Sequence, residues 1–249
     1  MIFRQLIEPE SSTYTYVLGC EDTGQAMLID PVLEAAERDL AVLQQLGLTL
    51  ALTVETHIHA DHVTAASRLR ALTGCRVAMP DAADTSCADV AVREGTSLEV
   101  GSVSLKPLFT PGHTDDHHSY LSLCGSGEMR IFTGDALLID GCGRTDFQNG
   151  DAPTLYRSVH DKIFTLPDDC LVFPAHDYEG RRVSSVAQER ARNPRLGEAI
   201  TLDGFVEIMA ALDLPYPKRI DVAVPANRLC GATDAVSASG EPVDRRDQG

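Results

Sequence analysis

Hydrophobic and polar positions divide the first half of the chain into short strands that alternate with amphipathic helices. Apolar runs predict strands at Tyr14–Leu18, Gln25–Ile29 and Leu50–Val54. A second helix is expected at Ala65–Leu72, where Gly74 provides a stop signal. The first helix lies between the second and third strands, because apolar residues recur there at spacings of three and four: Leu33, Ala36, Leu40 and Leu43.

The second half of the chain repeats this succession in outline. Apolar runs predict strands at residues 103–109, 119–124, 129–133 and 170–173, and periodic apolar positions predict helices at about 154–165, 183–192 and 203–212. The segment Pro215–Ala226 contains three prolines and is expected to be an ordered loop. The pattern favours two β layers covered by helices, an α+β fold of the αββα type. One domain is expected at residues 1–236, with a flexible, polar tail at residues 237–249.

Composition narrows the class of partner. The formal net charge of −16 disfavours nucleic acid and anionic membranes as partners, and no run of about 20 apolar residues predicts a membrane span. The N-terminal residues resemble a first strand rather than a signal peptide, so a cytoplasmic location is expected.

The cysteines favour the same compartment. Their number is seven, without paired spacing, which argues against a disulfide framework and for a reducing compartment. Small core positions are expected for most of Cys20, Cys75, Cys124, Cys170 and Cys230.

Three imidazoles and a carboxylate follow the strand Leu50–Val54 within a few residues. They are His57, His59, Asp61 and His62. A core cannot hold so many rings without a partner that compensates for their desolvation, so the cluster predicts a metal site at the end of a strand.

Three later segments have the same form, an apolar run followed by a potential ligand. His113, Asp135 and His176 each come just after a predicted strand, where layered folds build their sites. Histidine and aspartate ligands suit Zn, Fe or Mn. Seven potential ligands suffice for two metals, and spacing alone leaves one metal or two open.

These motifs resemble the metallo-β-lactamase superfamily. The resemblance rests on Thr56-His57-Ile58-His59-Ala60-Asp61-His62 with His113, Asp135 and His176, and it covers the chain from Phe3 to about Gly231. Two of its branches use glutathione derivatives, the glyoxalase II thioesterases and the persulfide dioxygenases. The run Gly143-Arg144-Thr145-Asp146-Phe147-Gln148 looks like the dioxygenase branch, as do Pro174–Tyr178 and Ile220–Asn227.

The resemblance implies two mixed β-sheets flanked by helices and a mononuclear Fe(II) held by His57, His113 and Asp135. Glutathione persulfide and O₂ are then the substrates, sulfite and glutathione the products, and a homo-oligomer is an implied assembly. His59, Asp61, His62 and His176 would orient the ligands and shape the pocket through hydrogen bonds, or serve as alternative metal ligands. The open alternative is a glyoxalase II-like hydroxyacylglutathione thioesterase with two Zn or Fe ions.

Several further residues are candidates for the substrate pocket or the chemistry. By the resemblance, Arg144 and Tyr178 have catalytic or substrate-binding roles, and Lys218 and Arg219 could bind a substrate carboxylate. Cys142 is either a small buried residue or a redox-active thiol near the substrate sulfur. The other histidines are expected at ordinary positions: His117 and His118 in a loop or at a strand edge, and His160 on a helix.

Overall fold

Two six-stranded sheets stack face to face in a computed structural model that describes residues 1–123 and 127–232. The strands of the first sheet follow one another in space as in the chain. Pairing is antiparallel from the first to the third strand and parallel from there to the sixth, so the sheet is mixed. These strands are β1 (Ile2–Glu8), β2 (Thr13–Gly19), β3 (Gln25–Ile29), β4 (Thr49–Val54), β5 (Arg76–Pro80) and β6 (Val90–Val92).

The second sheet contains the remaining six described strands. They are β7 (Leu98–Val100), β8 (Val103–Phe109), β9 (His118–Leu123), β10 (Met129–Gly134), β11 (Leu171–Pro174) and β12 (Ser184–Ser185). Their spatial order is β12-β11-β10-β9-β8-β7. Only the pair β10–β11 is parallel among the described strands of this sheet. The predicted pair of mixed sheets is confirmed.

Helices cover the outer faces of both sheets. Core residues of the first two helices pack against the first sheet, and those of the third and fifth pack against the second. The helices are α1 (Ala36–Gln45), α2 (Ala66–Thr73), α3 (Ala152–Ser158), α4 (Val186–Arg192), α5 (Leu202–Ala210) and α6 (Ile220–Asn227). The longest has ten residues, and within the two described ranges no helix has the length and apolar character needed to cross a bilayer.

Alternating side chains of β2 bind the layers together. Tyr16 and Leu18 point into the space between the sheets, where the Tyr16 ring lies 4.8 Å from the ring of Phe132. Val17 points the other way and packs with the residues of α1 and α2. The Tyr16 hydroxyl donates to the carbonyl of Pro174, so its one polar atom is satisfied inside the core. β2 is buried on both faces for this reason.

Most element types agree with the sequence pattern. The strands Gln25–Ile29 and 103–109 have the predicted bounds, and Gly74 ends α2 in the left-handed region with φ of 74°. Residues 81–100, for which no strand was predicted, contain the short strands β6 and β7 at the far edges of the two sheets.

The prediction of a loop at Pro215–Ala226 is wrong for most of its length, because residues from Ile220 onward form α6. Pro225 lies inside this helix. A proline ring already has a helical φ, and its cost is a lost hydrogen bond to the carbonyl four residues earlier. The apolar contacts of Ala223 and Ala226 with Val63 offset that loss. Tertiary packing therefore overrides the local signal.

Cys230 is buried in the core as predicted, but the argument against disulfides is wrong for this residue. It forms a disulfide with Cys87, 143 positions earlier. No local spacing links residues so far apart. Cys20, Cys75 and Cys170 are buried free thiols, as predicted. Cys124 and the predicted tail at residues 237–249 lie outside the described residues.

We expect Phe132→Ala to lower the free energy of unfolding by about 3–5 kcal/mol, because it empties the aromatic cluster between the sheets. Phe132 is 1% exposed and contacts the rings of Phe3, Tyr16 and Phe173. Urea denaturation measures the change. Leu123→Ala is the control, because Leu123 is 64% exposed. Equal losses in both variants would contradict this view of the core.

Candidate metal centre

Four strands end at the same edge of the sandwich, and the segment after each strand carries a predicted ligand. β8 is antiparallel to β9, and β9 is antiparallel to β10, which is parallel to β11. The C-terminal ends of β8, β10 and β11 therefore coincide. His113, Asp135 and His176 follow these three ends, and His57 follows β4 of the facing sheet.

Backbone hydrogen bonds join the two sheets at this edge. The N–H of His118 donates to the carbonyl of Thr56 at 2.8 Å, and the N–H of Tyr14 donates to the carbonyl of Ala175 at 2.7 Å. Both bonds lie next to predicted ligands, so the spacing between ligands from different sheets is set by main-chain contacts.

The donor atoms of His57, His113 and Asp135 all lie within 4.8 Å of one another. Nε2 of His113 is 3.3 Å from Oδ2 of Asp135. Two donors bound to one transition metal at a right angle lie about 3 Å apart, given metal–nitrogen distances of about 2.1 Å. The three groups therefore fit a single ion, as the resemblance implies. Oδ1 of Asp135 is buried without a hydrogen-bond partner among the described residues, which a metal would relieve.

Hydrogen bonds at the far nitrogens fix the orientation of the two imidazoles. The Thr56 hydroxyl donates to Asp30 and so accepts from Nδ1 of His57 at 2.9 Å. Nδ1 of His113 donates to the carbonyl of Arg144 at 2.6 Å. In both rings Nε2 is then left with its lone pair. Burial and the neighbouring imidazoles lower the pKa of His57 well below its usual value, which keeps this ring neutral.

His117 has a supporting role that its sequence position did not indicate. The ring is fully buried, accepts a hydrogen bond from the N–H of Asp135 at 3.1 Å and lies 5.1 Å from the His57 ring. It therefore positions the carboxylate without lining the cavity. Gly134 makes room for it, because a Cβ there would lie 2.4 Å from Nε2 of His117.

The other two histidines expected at ordinary positions have structural contacts. His118 is buried at the start of β9, with Nδ1 2.9 Å from the carbonyl of Asp116. His160 is on the π-helical turn after α3, where its ring stacks on that of Tyr156 at 3.9 Å.

His59 is held by two buried carboxylates. Its Nε2 lies 3.1 Å from Asp30 and 3.4 Å from Glu55. Although burial disfavours the charged ring, these two carboxylates raise the pKa of His59 well above its usual value. Nδ1 of His59 is buried and finds no hydrogen-bond partner in the described ranges. The ring is thus anchored from behind and has one nitrogen available.

A second group of donors lies beside the first. His59, Asp61 and His62 have donor atoms within 4.8 Å of one another. His176 lies between the groups, with Nε2 3.5 Å from Asp61 and 3.6 Å from Asp135. The four residues predicted to orient the ligands or to serve as alternative ligands therefore all come together here, and their geometry is compatible with either role.

Two polar side chains hold the peptide groups of Ile58, between the first two histidines. Asp116 is buried and accepts the N–H of Ile58 at 2.9 Å. The side-chain amide of Gln148 donates to the carbonyl of Ile58 at 2.6 Å. Gln148 belongs to the run that resembles the dioxygenase branch, but its contact joins segments 90 positions apart, which no local pattern reveals.

A cavity of about 520 Å³ opens beside the three-donor group. Arg144 lines it, and its guanidinium also pairs with Asp146 at 2.6 and 2.7 Å and donates to the carbonyl of Pro215 at 2.8 Å. Tyr178 lines the mouth, is 76% exposed and has its ring parallel to that of His176 at 6.1 Å. Both predicted residues are therefore at the cavity, but Arg144 is committed to a structural ion pair.

Two arginines that the sequence did not single out also line the cavity. Arg181 pairs with Asp177 at 2.8 Å and Asp140 at 2.6 Å. Arg195 donates to the carbonyl of Cys142 at 2.9 Å and forms no salt bridge within residues 1–123 and 127–232. Arg195 is therefore the lining arginine with charge to offer an anion.

The remaining candidates differ in their placement. Cys142 lines the cavity but is 4% exposed, and burial raises the pKa of its thiol to about 11, which disfavours the reactive thiolate. Lys218 and Arg219 are absent from the described lining of the cavity. Arg219 instead pairs with Glu34 at 2.8 Å. The structure thus does not bring the predicted basic pair to the cavity.

Comparison with known proteins agrees with this fold. Residues 9–176 match the metallo-beta-lactamase superfamily, and the chain belongs to that superfamily of metal-binding proteins. Human mitochondrial persulfide dioxygenase ETHE1 (Homo sapiens) is 49% identical over 232 residues, which cover 93% of this chain and 89% of that protein. Within the superfamily, the chain belongs to the persulfide dioxygenase family.

The chain is also similar to a solved structure and to a more distant relative with a different named activity. The crystal structure of ETHE1 from Myxococcus xanthus has a TM-score of 0.89 and 53% identity, and it covers 93% of this chain and 100% of that chain. A hydroxyacylglutathione hydrolase from Rhodopseudomonas palustris (strain BisB18) is 34% identical over 185 residues, which are 74% of this chain and 69% of that protein.

We expect Gly134→Ala to be more destabilising than Gly74→Ala by about 1–3 kcal/mol, the usual cost of overpacking. Both glycines have positive φ, but only at Gly134 does a Cβ meet a buried ring, whereas nothing lies within 4 Å at Gly74. The displaced His117 would also release the N–H of Asp135 and weaken metal binding. Thermal unfolding and metal titration test both effects. Equal stability of the two variants would contradict the crowding argument.

Proposed function

We propose that this protein is a persulfide dioxygenase that uses one Fe(II) ion and O₂ to oxidise glutathione persulfide. The products are sulfite, which takes two oxygen atoms from O₂ and one from water, and reduced glutathione. The observation that carries the proposal is the group of His57, His113 and Asp135 beside a cavity, in a chain 49% identical to a named persulfide dioxygenase.

The chemistry of the three donors favours a single iron. Two neutral imidazoles and one carboxylate on one face of an ion are the ligand set of non-haem Fe(II) oxygenases, and they leave positions open for substrates. A bound Fe(II) would supply the redox chemistry between O₂ and the persulfide sulfur. The chain's own residues hold this set rigid through Thr56, His117 and the carbonyl of Arg144.

The cavity supplies orientation and shelter for the substrate. Leu138, Ile139 and the buried Cys142 present apolar surface beside the ligands, which favours exclusion of water from the reacting sulfur. Tyr178 can donate a hydrogen bond at the mouth. We assign Arg144 a role in shaping the cavity wall, because its guanidinium already donates hydrogen bonds to the carboxylate of Asp146 and the carbonyl of Pro215. The proposal gives Cys142 a packing role.

Arg195 is the group we assign to a carboxylate of glutathione. Glutathione persulfide carries two carboxylates, and a charge-assisted hydrogen bond to arginine is both strong and directional. Arg195 is half-buried at the cavity wall and, within the described segments, no acidic side chain forms a salt bridge with it. Lys218 and Arg219 are not needed for this role.

The second candidate function is thioester hydrolysis at two metals. The group of His59, Asp61 and His62 favours it, since two adjacent donor sets can hold a pair of ions that activates water. Counting metal ions per chain separates the candidates. One iron with rapid O₂ uptake on addition of glutathione persulfide supports the dioxygenase, and two metals with hydrolysis of S-lactoylglutathione would replace it.

The cytoplasmic location stays a prediction. The human relative is named as a mitochondrial protein, and the bond between Cys87 and Cys230 is of a kind that reducing compartments disfavour. The homo-oligomer implied by the resemblance also stays a prediction, which light scattering on the purified protein would test.

We expect Asp135→Asn to lose iron and persulfide-dependent O₂ uptake together, because an amide oxygen is a far weaker ligand than a carboxylate. The matched control is Asp61→Asn, which changes the same group in the neighbouring donor set. In the one-iron arrangement it retains about one iron per chain and measurable O₂ uptake. Metal analysis and an oxygen electrode on protein reconstituted anaerobically with Fe(II) give both readings. Retention of iron by Asp135→Asn would overturn the ligand assignment.

We expect Arg195→Ala to raise KM for glutathione persulfide about 10- to 100-fold while kcat and iron content change little. The reason is the loss of one charge-assisted hydrogen bond, worth about 1.5–3 kcal/mol. Arg190→Ala is the control. It also removes one positive charge, but Arg190 pairs with Asp168 and is not part of the cavity lining. An unchanged KM in Arg195→Ala would remove the carboxylate assignment.

A further inference from the structure

Asn227, at the end of α6, contacts the loop that carries the first histidine cluster. Its amide nitrogen donates to the carbonyl of His59 at 2.9 Å and to the carbonyl of His62 at 2.8 Å. Its amide oxygen accepts the N–H of Thr64 at 2.9 Å. One side chain thus provides hydrogen-bond partners for three main-chain groups of the loop between β4 and α2. Asn227 is more than 160 positions from this loop in sequence.

These three bonds are made in a dry environment. Asn227 is 1% exposed, and His59, His62 and Thr64 are also buried. A buried peptide group that loses its partner costs far more than an exposed one, because water cannot replace the bond. The loop therefore keeps its conformation only while the amide is in place. Only an amide offers two donors and an acceptor in this arrangement.

Other contacts hold α6 itself in position. Ala223 and Ala226 pack against Val63, and the disulfide of Cys230 with Cys87 ties the end of the helix to the segment before β6. Asn227 therefore sits on a helix that is held by contacts other than its own hydrogen bonds. Asp116 and Gln148 hold the peptide groups of Ile58 in the same loop, so side chains from distant parts of the chain fix its conformation.

We propose that Asn227 is a positioning residue for the metal centre. It contacts no proposed ligand atom. It sets the main-chain path from His59 to Thr64, which begins two residues after His57, and through that path the placement of the rings of His59 and His62. The proposal rests on the proposed function only in assuming that this loop helps to hold a metal. Its test needs no persulfide, so failure of the dioxygenase assignment leaves the result interpretable.

Asn227→Asp and Asn227→Ala test the role in Co(II)-loaded protein, where the absorption spectrum reports ligand geometry. Asp keeps the shape and the acceptor for Thr64 but loses the two donors. We expect both variants to bind Co(II) at least about tenfold more weakly than the wild type, the usual effect of losing a group that orients ligands, and to show shifted absorption bands. In metal-free protein, hydrogen exchange at the Thr64 amide should accelerate more in the Ala variant than in Asp.

Cys87→Ser is the control, because it weakens the anchoring of α6 and leaves the amide of Asn227 unchanged. It should lower the melting temperature without altering Co(II) affinity or spectrum. A folded Asn227→Asp protein with wild-type affinity and spectrum would overturn the proposal. So would an equal shift in Cys87→Ser, because the effect would then belong to the docking of the helix. If the Ala variant does not fold, the Asp variant decides alone.

Discussion

The desolvation of closely packed imidazoles is the constraint on which the rest of the site depends. His57, His59, His62 and His117 are all at most 1% exposed, and rings of neighbours among them lie 4.2 to 5.1 Å apart. Such a group is tolerable only if ring nitrogens are matched to acceptors or left as lone pairs for a cation. The surrounding polar residues follow from this requirement. Thr56 accepts a hydrogen bond from Nδ1 of His57, and Asp30 and Glu55 contact Nε2 of His59. The carbonyl of Arg144 accepts from Nδ1 of His113.

The two-sheet architecture supplies the geometry that this chemistry needs. Loops after strands are ordinarily variable, but here backbone bonds between the sheets join the ends of the strands. The ligands then inherit the rigidity of the β layers, and the cost of ordering them is met when the core folds. The aromatic cluster around Tyr16 and Phe132 packs between the two sheets and fills the space that separates them.

The sequence predicted the layers and the clustering of potential metal donors because both are local signals, as at β3 and in the run from His57 to His62. It missed contacts made across long separations. Packing stabilises Pro225 within its helix, and Cys87 and Cys230 are bonded although they are 143 positions apart. Arg195 differs from the other arginines of the cavity only in forming no salt bridge with a described carboxylate. Such features depend on which surfaces the fold brings together, and single-chain patterns of charge or hydrophobicity do not encode them.

Two different stretches of the chain form the wall of the cavity. The match to the superfamily ends at residue 176, yet Arg195, Leu214, Pro215 and Pro217 line the same cavity as the proposed ligands His113 and Asp135. The ligands and the far wall are therefore carried by different stretches of chain. Substitutions in the C-terminal stretch can therefore change which thiol derivative the cavity accepts, while the stretch that carries the potential ligands remains intact. A common scaffold that hosts dioxygenases and hydrolases is an expected product of this modular division.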